Sequence, residues 1–262
     1  PKNGKLSLEM MYQTSGTQIN LDYTSEVDFI KKFKLSSFLV PLSIAIFANS
    51  PIKESRLNGY LSYRSYVWQK TSRGGLPKYF LEDMNFEKYV DMAINAPLLF
   101  VFKNNKYLRS DGKTFKDFMD GKLSLSTNEK ANIKDFETHL ATIFSEVRLK
   151  KYIEIRSLDT CEWDCHCGGP AFYAGLIYGN LDEALEIVNK WKISEVLNAY
   201  IEAPKRGLSS IIKNKTLLEW GNIFLKLAKK GLEKRSIKNS NGEDESIFLR
   251  SVESVLINNK NK

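Results

Sequence analysis

The chain has 262 residues, long enough to bury a sizeable core, and its 42% hydrophobic and 12% aromatic content belong to a globular protein rather than a disordered one. Its formal net charge of +8 comes from scattered lysines and fits an anionic small molecule such as a nucleotide as well as it fits nucleic acid, for which no binding motif appears. No apolar run reaches the roughly 18–20 residues of a membrane span; the most apolar stretch, Ser36 to Ala48, is short and carries Pro41.

Residues 6 to 23 read as an approach segment followed by a strand. Alternation in Thr17-Gln18-Ile19-Asn20-Leu21-Asp22 puts Gln18, Asn20 and Asp22 on one face and Thr17, Ile19 and Leu21 on the other. The polar face is either a solvated edge or a set of oxygen ligands. Ser25, with Asp28 three residues on, opens a helix carrying Val27, Phe29, Ile30 and Phe33. Pro41 starts a second helix, buried because Leu42 to Ala48 is apolar nearly all round, and Asn49-Ser50-Pro51 stops it.

Tyr60 to Trp68 is dense in aromatics around Arg64. Such a segment either packs a helix on the core or holds a small ligand with a carboxylate. Ser72-Arg73-Gly74-Gly75-Leu76-Pro77 reads as a cationic loop whose glycines allow close approach to phosphate. Residues 86 to 96 form an amphipathic helix, Leu98 to Phe102 a buried strand, and Lys106 to Leu108 its hairpin partner. Thr114 to Met119 and Ile133 to Phe144 are helical, with His139 at a surface or boundary position.

The most informative stretch is Tyr152 to Asp159. Tyr152, Glu154 and Arg156 share one face of a strand, and Ile153, Ile155 and Ser157 the other. An alternating segment, Glu146 to Leu149, precedes it and an apolar helical run follows, which places the strand inside a sheet. A carboxylate and a guanidinium on an inner strand need a partner, a metal or a ligand. Glu154 suits a hard cation such as Mg²⁺, and Arg156 suits phosphate or carboxylate. Helices at 170–178, 181–191, 193–202, 216–234 and 245–257 make the C-terminal third a helical layer. Short strands and helices without regular alternation indicate an α+β fold.

All cysteines lie in Cys161-Glu162-Trp163-Asp164-Cys165-His166-Cys167. One tight cluster in a chain this long argues against a secreted disulfide framework, and a structural zinc site spreads its ligand pairs further apart. Free thiols are the expectation. No signal peptide is evident, and the chain starts with Pro1, so it is expected to be cut from something longer.

Together, Gln18-Ile19-Asn20-Leu21-Asp22, Phe47-Ala48-Asn49-Ser50-Pro51, Gly59 to Trp68, Arg73-Gly74-Gly75-Leu76-Pro77, Tyr152 to Arg156 and Pro170-Ala171-Phe172-Tyr173 resemble, in this order, the plant and alphaproteobacterial type of glutamate–cysteine ligase. The resemblance runs from about residue 8 to about residue 235. It implies a glutamine-synthetase-like antiparallel sheet curved into a cup with surrounding helices, the N-terminal part of that sheet lying outside this chain. Residues 1–262 would then be a single catalytic-type domain, incomplete at its N-terminus, with 169–262 as a mainly helical layer. The implied reaction is ATP-dependent phosphorylation of the glutamate γ-carboxylate, then attack by the cysteine amine on γ-glutamyl phosphate, with ATP and Mg²⁺ as cofactors.

Position by position, the resemblance assigns Mg²⁺ to Gln18 and Glu154 and stabilisation of the transferring phosphoryl group to Arg156. Arg64 would grip a substrate carboxylate, and Thr17 and Ile19 would line the glutamate pocket. Phe102 stands where plant members have a tyrosine near the bound amino acids, and Tyr173 where they have a tryptophan beside the cysteine pocket. Asn20, Tyr66 and Trp68 form a second tier. Plant members carry a regulatory disulfide, which leaves a redox role for the cysteine loop open. The implied partners are glutamate, cysteine and ATP; the sequence's own composition and motifs point to neither nucleic acid nor membrane, and its cysteine usage to the cytoplasm. Acidic ligands upstream of this region in the family imply that the chain alone is inactive. A related carboxylate–amine ligase with another amine, or a non-catalytic subunit, is the alternative.

Overall fold

A computed structural model describes residues 5–71, 74–123 and 130–259. The sequence divides into two compact units, residues 1–83 with 145–262, and residues 84–144. The first unit opens with α1 (Ser7–Tyr12), β1 (Gly16–Leu21), α2 (Glu26–Phe38) and α3 (Val40–Ile46). A small hairpin of β2 (Ile52–Lys53) and β3 (Arg56–Leu57) leads to α4 (Tyr63–Gln69) and β4 (Gly74–Gly75). The second unit carries α5 (Phe86–Asn95), β5 (Phe100–Lys103), β6 (Lys106–Arg109), α6 (Phe115–Met119) and α7 (Ile133–Ala141). After β7 (Phe144–Ser145), the first unit resumes with β8 (Val147–Leu149), β9 (Ile153–Asp159), α8 (Trp163–His166) and α9 (Gly168–Ala174). A π-helical turn at Gly175–Gly179, α10 (Leu181–Val188) and α11 (Ile193–Arg206) follow. The hairpin of β10 (Ile211–Ile212) and β11 (Lys215–Thr216), then α12 (Leu217–Arg235) and α13 (Arg250–Asn258), complete the described chain. The fold is α+β, as expected. Among the described residues no helix is long and apolar enough to cross a membrane.

The first unit is organised around an antiparallel sheet in the order β1-β9-β8. Ile153–Asp159 is therefore an inner strand with every residue buried, and Tyr152, expected to share it, lies just before it and is half-buried. Its apolar side, with Ile153 and Ile155 fully buried, supplies the sheet's contribution to the core. Helix α9 lies close against that side: a Cβ on Gly169 would come within 2.5 Å of Leu158 Cδ2 and 3.4 Å of Ile19 Cδ1. The helix starts follow their sequence signals. Ser25 accepts from the Asp28 N–H at the head of α2, Pro41 sits in the first turn of α3, and Thr216 with Glu219 closes a capping box on α12. Phe29, Phe33 and Phe80 form one aromatic chain of the core, and Trp191, Trp220 and Phe224 another.

The second unit has its own core of Leu98, Val101, Phe115 and Phe118. Asn104 and Asn105, at φ 50° and 59°, turn the β5–β6 hairpin, where the short polar side chain of Asn tolerates a left-handed backbone. The expectation of a buried strand from Leu98 to Phe102 holds for one face only. Val101 is buried, whereas Phe102 is 44% exposed and packs against Tyr107, because a two-stranded hairpin has a single covered side. Lys103 and Asp135 pair at 2.8 Å with little exposure. His139 corrects its surface assignment: it is buried, its ring stacks on Phe115, and Nε2 lies 2.7 Å from the Ala93 carbonyl oxygen. That contact with a carbonyl at the end of α5 supplies a polar partner that periodicity on α7 alone does not reveal.

Candidate active site

The polar face of the sheet carries a connected set of charges. Glu154 stands between Asn20 of β1 and Arg148 of β8 in the strand register. Its Oε2 accepts from Arg148 Nε at 2.7 Å and Arg156 Nη1 at 2.8 Å, with Arg148 Nη2 at 2.6 Å. Lys150 Nζ lies 3.9 Å from Oε1. Burial alone disfavours the Glu154 anion, but the hydrogen bond from Arg156 and the charges of Arg148, Arg156 and Lys150 outweigh it and hold the carboxyl below its ordinary value.

Thr17 pairs with Leu158 and Ile19 with Ile155, so Gln18 of β1 faces both Arg156 and Ser157 across a bulge. There Arg156 Nη1 donates to Gln18 Oε1 at 3.1 Å. Gln18 and Asn20 are exposed on β1, while Glu154 and Arg156 are 4% and 5% exposed beside them. Thr17 is half-buried, with Oγ1 lacking a hydrogen-bond partner among the described residues. Ile19 is buried on the α9 side of the sheet, away from Gln18.

Arg64 arrives from α4 and is 3% exposed. Its Nη2 donates to the Arg156 carbonyl oxygen at 2.5 Å. The guanidiniums of Arg64 and Arg156 lie 5.2 Å and 5.3 Å from the Trp68 ring centroid. A Cβ on Gly16 would meet Arg64 Nε at 2.5 Å and the Leu158 carbonyl oxygen at 2.8 Å, so the bare glycine makes room for this approach. Burial pulls the Arg64 guanidinium down from its ordinary value, opposed by the carboxylates of Glu146 and Asp159. Two buried donors, Arg64 Nη1 and Arg156 Nε, have no hydrogen-bond partner among the described residues. An uncompensated buried donor of a cation is costly, and an anion brought to it removes that cost.

Several residues of this constellation stand out only in three dimensions. Glu146 is fully buried, burial pushes its carboxyl up against the influence of Arg64 and Arg156, and Tyr200 Oη donates to its Oε1 at 3.1 Å. Arg148 and Glu146 alternate in sequence as an ordinary edge segment would, and Tyr200 sits on a helix 54 residues away. Asp159, at the end of β9, accepts from the Asn49 N–H and from the Ser50 and Ser62 hydroxyls.

Of the remaining expected residues, Tyr66 is half-buried and stacks on Tyr60 with ring centroids 4.3 Å apart. Tyr173 is fully buried on α9, its hydroxyl 2.5 Å from Ser43 Oγ, and burial raises its pKa. Phe102 belongs to the second unit and is described with it above. Ser72 and Arg73 lie outside the described residues. The cysteine loop is not a set of free thiols: Cys161 and Cys165 form a disulfide across a Cα separation of 6.1 Å, and Cys167 remains free and exposed. A four-residue spacing that turns into the short helix α8 brings the two Cα atoms within bonding reach, which a flat reading of the spacing did not anticipate.

Among the described residues no group of three or more His, Cys, Asp or Glu side chains could hold a metal. Glu154 Oε1 and Gln18 Oε1 are nevertheless hard oxygens on one face, the donor type that Mg²⁺ takes when phosphates and water complete its shell.

The sequence model described as "Glutamate-cysteine ligase family 2 (GCS2)" matches residues 1–258. The chain is 41% identical over 261 residues to glutamate–cysteine ligase, chloroplastic, of Solanum lycopersicum, covering 98% of this chain and 49% of that protein. It is 41% identical to glutamate–cysteine ligase B, chloroplastic, of Oryza sativa subsp. japonica, covering 98% and 51%. It is 40% identical to glutamate–cysteine ligase, chloroplastic, of Arabidopsis thaliana, covering 98% and 49%. The chain thus spans about half the length of the curated relatives it matches. Those relatives are named chloroplastic, which overturns the expectation of a cytoplasmic location.

Proposed function

Because the chain belongs to glutamate–cysteine ligase family 2, we propose that it is part of an ATP-dependent ligase joining the glutamate γ-carboxylate to cysteine through γ-glutamyl phosphate. The observation that carries this reading is the pair of buried guanidiniums, Arg64 and Arg156, each with an unpartnered donor, beside the acid Glu154. Phosphorylating a carboxylate requires two anions to be held together, and two fixed cations oppose their mutual repulsion.

In this reading Arg64 binds a substrate carboxylate and Arg156 stabilises charge on the phosphoryl group in transfer. Glu154 keeps Arg148 and Arg156 aligned, so that these donors need little reorganisation when charge develops. Trp68 offers a flat apolar wall to both guanidiniums. Bound Mg²⁺, held from this chain by Gln18 and Glu154, would neutralise phosphate oxygens. Thr17 as a substrate-pocket residue, Asn20 and Tyr66 as a second tier, the cup-shaped sheet and the single catalytic domain belong to the same proposal, whereas Ile19 and Tyr173 are buried on the α9 side of the sheet, opposite Glu154 and Arg156, and are left out of it. No covalent enzyme nucleophile is needed. A plastid is the compartment that the relatives' names support.

The test is phosphate release from ATP that depends on both glutamate and cysteine, in the intact protein. Arg156→Ala is expected to lower kcat by about 10²- to 10³-fold, the cost of losing one transition-state donor. A near-wild-type rate would remove Arg156 from the reaction. A panel of other amines in place of cysteine separates this ligase from a relative with a different acceptor. The 262-residue chain assayed alone decides whether it needs more of the relatives' length.

A further inference from the structure

Strand β9 holds Arg64 at both ends, and the two grips are made by different residues. The side-chain end is held by the Arg156 carbonyl oxygen, which accepts from Arg64 Nη2 at 2.5 Å. The backbone end is held through a carboxylate. Asp159 Oδ2 accepts from the Ser50 hydroxyl at 2.7 Å and the Asn49 N–H at 2.8 Å, while Oδ1 accepts from the Ser62 hydroxyl at 2.8 Å. A hydroxyl has one hydrogen, and a carboxylate has none to give. With the Ser50 and Ser62 hydrogens both given to Asp159, their lone pairs face the N-terminus of α4, and the Ser65 hydroxyl, 2.8 Å from Ser62 Oγ, takes the donor role in that contact. There Ser50 Oγ accepts from the Arg64 N–H at 3.0 Å, and Ser62 Oγ accepts from the Ser65 N–H at 3.1 Å.

We infer that Asp159 is a positioning residue for the ligase reaction: by fixing both serine hydroxyls it sets the N-terminus of α4 and so the direction in which Arg64 presents its guanidinium to substrate. The functional part of this inference rests on the proposed role of Arg64 as a carboxylate-binding residue. The surroundings support a dedicated arrangement. Asp159 is 3% exposed, and the Ser50–Ser62 pairing is further closed by the Ser50 N–H to the Leu61 carbonyl and the Tyr63 N–H to the Ser50 carbonyl. Burial raises the Asp159 carboxyl, and Arg64 together with the three donors opposes that rise. An amide at this position loses the charge of the acceptor and, with its NH₂ toward Ser62, forces the Ser62 hydrogen off this residue and onto Ser65 Oγ, 2.8 Å away. Asn would accept through its oxygen only, and its NH₂ would face either a peptide N–H or a serine hydroxyl that must then turn its hydrogen elsewhere.

The experiment compares wild type, Asp159→Asn, Ser50→Ala, Ser50→Thr and Arg64→Ala in the intact protein. It reads amide hydrogen exchange at Arg64 and Ser65, and calorimetric affinity for L-glutamate. Asp159→Asn is expected to speed exchange at both amides by roughly tenfold or more and to weaken glutamate binding by a similar factor, the scale of a lost hydrogen bond to a charged group. Ser50→Ala should repeat the effect at Arg64, and Ser50→Thr, which keeps the hydroxyl, should restore it. A folded Asp159→Asn with protected amides and glutamate affinity within about twofold of wild type overturns the inference. If Asp159→Asn does not fold, the Ser50 pair decides by the same criteria. If Arg64→Ala binds glutamate as wild type does, the reading of Arg64 as the carboxylate site falls. The exchange data still decide whether Asp159 positions α4.

Discussion

Strands β1 and β9 lie side by side and carry the same kind of alternation, yet their polar faces have different physical status. On β1, Gln18 and Asn20 are exposed; on β9, Glu154 and Arg156 are buried. The difference is position in the sheet. β1 pairs only with β9 among the described strands of its sheet, whereas β9 is covered by β1 on one side and β8 on the other. Arg148 then arrives from β8 directly opposite Glu154 and closes the charge cluster. A polar face is cheap at an edge and must be compensated in the middle, so the inner strand is where a chemical role has to be sought.

The sharpest way to break this contrast is Glu154→Ala. It leaves Arg148 and Arg156 buried without their shared acceptor, and the expected loss is about 3–5 kcal/mol, read as a lower urea midpoint. Glu154→Gln should cost less at neutral pH and adds a pH test. The Glu154 carboxyl is held below its ordinary value, so its contribution is complete above about pH 4.3 and disappears as pH falls through the lowered folded-state pKa. The stability gap between wild type and Glu154→Gln should therefore close on acidification. A gap that stays constant to the acid end would mean that Glu154 is not an ionised partner of these arginines.

A smaller effect is expected where the two strands admit Arg64. Gly16→Ala would place a methyl 2.5 Å from Arg64 Nε and 2.8 Å from the Leu158 carbonyl oxygen, distances that force a shift. The cost should be about 1–3 kcal/mol, the usual scale of overpacking. Because the displaced atom belongs to Arg64, glutamate affinity should drop along with the melting temperature. If Gly16→Ala is as stable as wild type and binds glutamate equally, the close approach is not a constraint.

Much of this was legible from residues alone. The Ser25–Asp28 cap, the Pro41 break, the inner position of Ile153 to Asp159 and the α+β class follow from local patterns that packing did not override. What stayed hidden needed long-range geometry. Glu146 meets Tyr200 across 54 residues, and Asp159 meets Ser62 across 97, so no window of sequence contains either pair. His139 was misplaced because its partner is a backbone carbonyl, which has no sequence signature. The Cys161–Cys165 disulfide is hidden because the spacing alone does not show that the chain turns into α8 and brings the two Cα atoms to 6.1 Å. The strand alternation was read correctly on both β1 and β9, and only the neighbour of each strand distinguishes them.

The smallest expected effect is the most discriminating for that last point. Gln18→Ala removes an exposed side chain whose oxygen accepts from Arg156 Nη1, and that nitrogen also donates to Glu154. Stability should therefore change by no more than about 0.5 kcal/mol, the range of ordinary surface substitutions. If Gln18 serves only the sheet, activity of the intact protein should be equally indifferent. If it supplies an oxygen to Mg²⁺ as proposed, the Mg²⁺ concentration needed for half-maximal rate should rise by about 10-fold or more while the melting curve stays in place, since even residues that only support a metal's ligands typically cost about 10- to 100-fold in affinity or activity. A stable variant with an altered Mg²⁺ requirement would show that β1's exposed face is open because it meets ligand, not because it is idle. A stable variant with an unchanged requirement would make β1 the solvated edge its pattern also allows, and would leave the chemistry to β9.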